Sequence, residues 1–180
     1  SLSFAAPGND LCSNATLLTS SSSCTPAAYD IQGANSEGPA GACGGATATK
    51  TYDVWFKFEA HSTSPSISLS GLGSNLSAAS TYIEVMNGTV CGSLSSRACQ
   101  SASSSLTLSG LTIGNIYYLR IYVTANPTGS AASNAFSICI QDPSNDECSS
   151  SISLTSSTSC TTYPATIVNA TASAGIPAGC

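Results

Sequence analysis

Between Asp53 and Glu59, hydrophobic and polar positions alternate with a period of two. Val54, Phe56 and Phe58 fall on one side, and Trp55, Lys57 and Glu59 on the other. This is the pattern of a β-strand with one buried face. The same alternation predicts strands over residues 66–69, 82–86, 106–108, 116–123 and 136–140. Turn-forming residues separate them: Gly71-Leu72-Gly73, Asn87-Gly88, Gly110, Gly114-Asn115 and Asn126-Pro127-Thr128-Gly129. No segment sustains a helical apolar period. Short, regularly spaced strands with turns between them predict an all-β fold, an antiparallel jelly-roll-like β-sandwich spanning about Asp10 to Ile140.

The chain then repeats itself. Pro7 to Cys24 aligns without gaps on Pro143 to Cys160, displaced by 136 residues, and 11 of the 18 positions are identical. Asn9-Asp10 matches Asn145-Asp146, and Pro39-Ala40-Gly41-Ala42-Cys43 meets Pro177-Ala178-Gly179-Cys180 after small length changes. Nothing in the second copy corresponds to the apolar strands between Asp53 and Ile140. The expectation is a tandem repeat: one complete sandwich over residues 1–142 and the amino-terminal part of a second over 143–180. That part either continues into its own sandwich or packs elsewhere, for instance as a strand donated to a neighbouring copy.

Cysteine parity marks the same boundary, with six cysteines before Pro143 and three after it. There is one His and no CxxC pair, so a zinc module is a poor account and a disulfide-stapled fold a better one. Six cysteines allow fifteen pairings. The favoured set is Cys91 with Cys99 around a pinched loop, Cys24 with Cys43 around a Gly-rich loop, and Cys12 with Cys139 joining first strand to last. The last would contribute roughly 4 to 5 kcal/mol on the loop-entropy model. In the second copy, Cys160 would pair with Cys180. Disulfides imply export to an oxidising compartment, hence an extracellular or cell-surface location.

Composition narrows the partners. Charged residues make up only 7% of the chain, against roughly 25% in an average globular protein. Yet 42% are apolar, enough for a folded core rather than a disordered chain. A net charge of -5 with four scattered basic residues offers no footprint for nucleic acid. No apolar run is long enough for a membrane span. Sequons at Asn14, Asn75, Asn87 and Asn169 would accept N-glycans in a eukaryotic secretory route, although a chain so rich in Ser, Thr and Asn produces them by chance.

Several landmarks occur in a telling order: Asn9-Asp10-Leu11-Cys12, Asp53-Val54-Trp55-Phe56-Lys57-Phe58, Tyr82-Ile83-Glu84-Val85 with Asn87-Gly88 and Cys91-Gly92-Ser93-Leu94, Tyr117-Tyr118-Leu119-Arg120-Ile121-Tyr122, and Phe136-Ser137-Ile138-Cys139. In this order they resemble a sandwich repeat of secreted and surface proteins of Bacteroidetes-like bacteria, similar to pre-peptidase C-terminal-like domains. The resemblance implies an extracellular, non-catalytic module found in adhesins and beside secreted enzymes, in some bacteria exported by the type IX system. Related domains often ligate calcium through carboxylates around the Tyr82 strand. Here those positions read Ala79-Ser80-Thr81 and Cys99-Gln100-Ser101, so no metal or other cofactor is expected.

Candidate chemistry is sparse. The lone His61 lacks a Gly-x-Ser-x-Gly elbow or a second His, so a Ser-His-Asp relay is not supported. Glu59 and Glu84 would serve as a glycosidase pair only if adjacent strands brought them close; solvent-facing positions paired with Lys57 or Arg120 are the plainer reading. Alternation puts Tyr118, Arg120 and Tyr122 on one face, which with Trp55 forms a candidate ligand platform for sugar rings. The Asn-Asp pair heading each copy is read as an Asx turn that fixes the linker.

The expected function is thus a non-catalytic structural and adhesive repeat of a surface protein or filament. Its partners would be neighbouring repeats or copies of itself, and surface polysaccharide. The alternative is a carbohydrate-binding accessory module of a larger secreted enzyme.

Overall fold

The computed structural model of the chain describes residues 4–36, 39–45, 51–144, 151, 153–159 and 162. Among these residues nine strands form: β1 (Thr16–Leu18), β2 (Ala27–Asp30), β3 (Tyr52–Glu59), β4 (Ser66–Ser70), β5 (Thr81–Asn87), β6 (Ser95–Ser101), β7 (Leu106–Thr107), β8 (Ile116–Val123) and β9 (Ala135–Gln141). They make a five-stranded sheet ordered β1-β3-β8-β5-β6 and a four-stranded sheet ordered β2-β9-β4-β7. Every pairing is antiparallel except the one between β1 and β3.

The period-two pattern determines which side chains meet between the sheets. Val54, Phe56, Phe58, Ile83, Val85, Leu119 and Ile121 project inward from the five-stranded sheet, all with no exposed surface, and face Ile67, Phe136, Ile138 and Ile140 of the other sheet. Phe56 is the centre of an aromatic knot, edge-on to Tyr29 at 4.8 Å and to Phe136 at 6.3 Å between ring centroids. Tight turns close the strands; Gly114, for example, takes φ 84° and donates its N–H to the Ala60 carbonyl at 2.8 Å.

Among the described residues, three disulfides close the fold: Cys12–Cys91, Cys24–Cys139 and Cys43–Cys99, with Cα atoms 5.7, 5.8 and 5.8 Å apart. This corrects all three pairings expected within residues 1–142. Cys91 and Cys99 do not face each other, because Cys91 opens a single 3-10 turn and the chain then runs extended as β6, carrying Cys99 away opposite Glu84. Cys24 pairs with Cys139 rather than Cys43, because it sits just ahead of β2, whose Ala27 is opposite Ile138 of β9. Cys12 is then free to reach Cys91. The expected Cys160–Cys180 pair lies outside the described residues, as does Asn169, and the second copy over 143–180 falls largely outside them.

Candidate functional site

The outward face of the five-stranded sheet carries the unusual chemistry, and strand register aligns it in rows. Trp55, Arg120, Glu84 and Cys99 lie side by side across β3, β8, β5 and β6; Asp53, Tyr122 and Tyr82 form the next row. The expected platform of Trp55, Tyr118, Arg120 and Tyr122 is therefore assembled on one face. It is not open to solvent, which corrects the platform reading: Arg120 and Tyr122 are fully buried, Trp55 is 3% exposed, and only Tyr118 is half-buried.

Two segments cover this face. Asn9 is pinned to β3, donating its side-chain N–H to the Trp55 carbonyl at 3.0 Å, while the Trp55 N–H donates to the Asn9 carbonyl at 2.8 Å. Asp10 accepts hydrogen bonds from the backbone and side-chain N–H groups of Asn35 at 2.8 and 2.9 Å. These bonds are what the Asn-Asp pair does in this copy: it lays the amino-terminal segment across the sheet and anchors it to the following loop. Beyond them, Ala15 packs with Trp55 and Met86, and the Cys12–Cys91 bond fixes the segment to the end of the β5-β6 hairpin.

The second cover is the loop from Pro39 to Gly45, stapled to β6 by Cys43–Cys99. Gly41 lies so close to the sheet that a Cβ there would stand 2.5 Å from the Tyr122 hydroxyl oxygen and 2.6 Å from its ring. Tyr122 accepts the Cys43 N–H at 2.9 Å and donates its hydroxyl to the Cys43 carbonyl at 3.1 Å. Burial pushes its phenol up to about 12.

Under these covers, Arg120 has all its N–H groups engaged. Nε and Nη2 donate to Glu84 Oε2 at 3.0 and 2.8 Å, Nη1 donates to Asp53 Oδ2 at 3.1 Å, and the remaining N–H groups reach the carbonyls of Pro39 at 2.8 Å and Ala40 at 3.0 Å. Its planar group lies between the Trp55 and Tyr122 rings, 5.5 and 4.9 Å from their centroids. Asp53 also accepts from Trp55 Nε1 at 2.9 Å and from the Thr51 hydroxyl at 3.1 Å. Two carboxylates share one guanidinium away from water, and desolvation by burial raises the Asp53 pKa even against the Arg120 charge.

Within this network every Arg120 N–H is paired with a carboxylate or a backbone carbonyl, and Asp53 and Glu84 both accept hydrogen bonds from its members. Glu84 is buried opposite Arg120 rather than facing solvent; Glu59 is exposed, and β8 lies between β3 and β5, so the two glutamates are not on adjacent strands. His61 is exposed with Nδ1 3.3 Å from the Ser20 hydroxyl, while Asp142 accepts a hydrogen bond from Ser62 at 2.7 Å. Asn75 uses its side-chain N–H on Thr128 and Ser133, and Asn87 accepts from Arg97; Asn14 is exposed. Beside the amino-terminal cover, a cleft of about 330 Å³ opens between Asp10, Leu11, Pro39, Asp53, Trp55 and Leu94. Sequence reasoning missed the partnership of Asp53 and Pro39-Ala40 with Arg120. Its one available signal was that outward positions of three strands carry an arginine and two acids in a chain with few charges.

Compared with known families, the chain matches the galactose-binding-domain-like family associated with the type IX secretion system (T9SS) over residues 8–138. The chain belongs to that family. No curated protein and no solved structure matches it. Galactose-binding-domain-like modules are non-catalytic binding modules in type, and the T9SS association together with three disulfides points to an extracellular or cell-surface protein. Among the described residues, no helix is long and apolar enough to cross a membrane.

Proposed function

We propose that this domain is a rigid, non-catalytic structural and adhesive module of an extracellular surface protein or filament, working beside neighbouring repeats or copies of itself. The observation that supports this best is the sealed outer face. The residues that would make a stacking platform are used to hold two disulfide-stapled covers down on the sheet, which favours mechanical integrity over exchange of a ligand. A glycan array that includes galactosides and bacterial surface polysaccharides tests it. Weak contact with many surfaces and no saturable binding is expected; saturable binding to one glycan reverses the reading.

A second reading, a carbohydrate-binding accessory module, is favoured by the cleft beside Leu11 and Trp55 and by the family's description as galactose-binding-domain-like. Under that reading Leu11→Glu abolishes array binding while leaving the melting temperature unchanged, since Leu11 is 44% exposed.

A further inference from the structure

The two covers stop part-way across the outer face of the five-stranded sheet. Beyond the row of Trp55, Arg120, Glu84 and Cys99, strand register sets Leu17, Lys57 and Tyr118 side by side on β1, β3 and β8, and then Glu59 beside Ile116 on β3 and β8. All five point outward, since their neighbours Phe56, Phe58, Tyr117 and Leu119 point into the core. These rows are open to solvent. Leu17 is 61% exposed, Ile116 40%, Glu59 is exposed, and Lys57 and Tyr118 are half-buried. Tyr118 leans on the buried cluster of Ala15, Trp55 and Met86, which holds its ring against the sealed half of the face.

The charges in this patch are ones the fold leaves unused. Among the described residues, Arg120 is paired with Asp53 and Glu84, and Arg97 donates to Asn87 and to the carbonyls of Ser109 and Gly110, whereas Lys57 and Glu59 enter no ion pair. The two stand on one strand and one face, two residues apart, hence about 7 Å from each other along β3. A basic and an acidic group so placed are complementary to themselves under two-fold symmetry. With the axis lying between two stacked sheets, across β3 and midway between the two residues, Lys57 of one copy faces Glu59 of the other, twice over. The same axis brings Tyr118 against Ile116 of the second copy, because these two occupy the same pair of rows on β8. We propose that this open half of the outer face is an isologous contact surface whose partner is a second copy of this chain. The proposal rests on the reading of the domain as a module that works beside copies of itself, and gives that contact a surface. Five side chains on each copy are few beside the roughly 20–30 residues a side of a standard interface, so the contact is weak, with Kd on the order of 0.1 to 1 mM. Weak pairing suits domains held side by side in an array, where effective concentrations reach about the millimolar range.

Sedimentation equilibrium of the full chain, with free thiols alkylated, is the first test, carried up to about 1 mM, where contacts of this strength populate a dimer. A concentration-dependent dimer is expected, weakened about threefold or more when NaCl is raised from about 0.05 to about 0.5 M, since exposed ion pairs are screened by salt. A chain that stays monomeric throughout overturns the proposal.

Charge reversal then locates the surface. Lys57→Glu and Glu59→Lys each turn both symmetric attractions into repulsions, and each alone is expected to weaken dimerisation about tenfold or more. Lys57→Glu/Glu59→Lys restores the complementarity and should return to within about threefold of wild type. An equimolar mixture of the two single-reversal chains should form a heterodimer, because one presents two acids where the other presents two bases. Dimerisation that every variant keeps, or a mixture that stays monomeric while wild type pairs, overturns the proposal; the module reading is decided separately by the glycan array. Melting curves check that each variant is folded. Should a reversal fail to fold, Lys57→Gln and Glu59→Gln replace it, each expected to abolish the salt dependence, and a salt dependence that survives both overturns the proposal.

Discussion

Arg120 is the residue on which the outer face depends. Deleting one member of a buried ionic network leaves the others charged and unpaired, typically a loss of 3–5 kcal/mol, whereas replacing all members with apolar groups is often close to neutral. Arg120→Met is therefore expected to destabilise by about 3 to 5 kcal/mol in urea denaturation, and Arg120→Met/Asp53→Leu/Glu84→Leu to recover most of it. Asp53 supplies a pH signature. Its folded-state pKa is raised above 3.8, so its stabilising contribution is complete below that value and is lost as pH rises through the raised pKa. Melting curves should show wild type gaining on Asp53→Asn as pH falls from neutrality toward that value; a constant gap would mean burial does not control this carboxyl. The shared face of Tyr118, Arg120 and Tyr122 was legible from alternation alone. That it is sealed was not, because the covering loop has no periodicity and its position depends on cysteine pairings that spacing leaves open.

At the level of elements, the six strands with an apolar stripe could be read from the sequence, and each appears where alternation put it, within a residue or two. β1, β2 and β6 could not. β6 reads Ser-Ser-Arg-Ala-Cys-Gln-Ser and owes its conformation to backbone pairing with β5 rather than to an apolar face of its own. β1 and β2 are three and four residues long, too short for a periodic signal. Connections between strands are sensitive in a way the structure makes specific. A Cβ at Gly73 would lie 2.5 Å from the backbone of Ser133, while at Gly92 it would meet nothing within 4 Å. Gly73→Ala is expected to cost roughly 1 to 3 kcal/mol, since overpacking against a backbone cannot be relieved by a rotamer change. Gly92→Ala should stay within about 0.5 kcal/mol, as surface substitutions do. Equal effects in thermal melts would refute the assignment of close packing to the loop after β4.

Across the whole molecule, the sandwich is tied at its entrance and its exit. Cys24 and Cys139 lie 115 residues apart in sequence and are joined directly. Considered as a tether rather than a staple, this bond is a short circuit. Tension entering near Asn9 and leaving near Gln141 crosses one covalent link and bypasses everything between the two cysteines. Even an unfolded domain could then pay out only its short ends. In single-molecule pulling, reduction of the three disulfides is expected to add about 40 nm of extension per domain, given roughly 3.5 Å per residue over the 115 released. An oxidised domain that lengthens by that amount would rule out the bond as a force path. A surface array built from such units would hold its length under shear and behave as nearly inextensible cable.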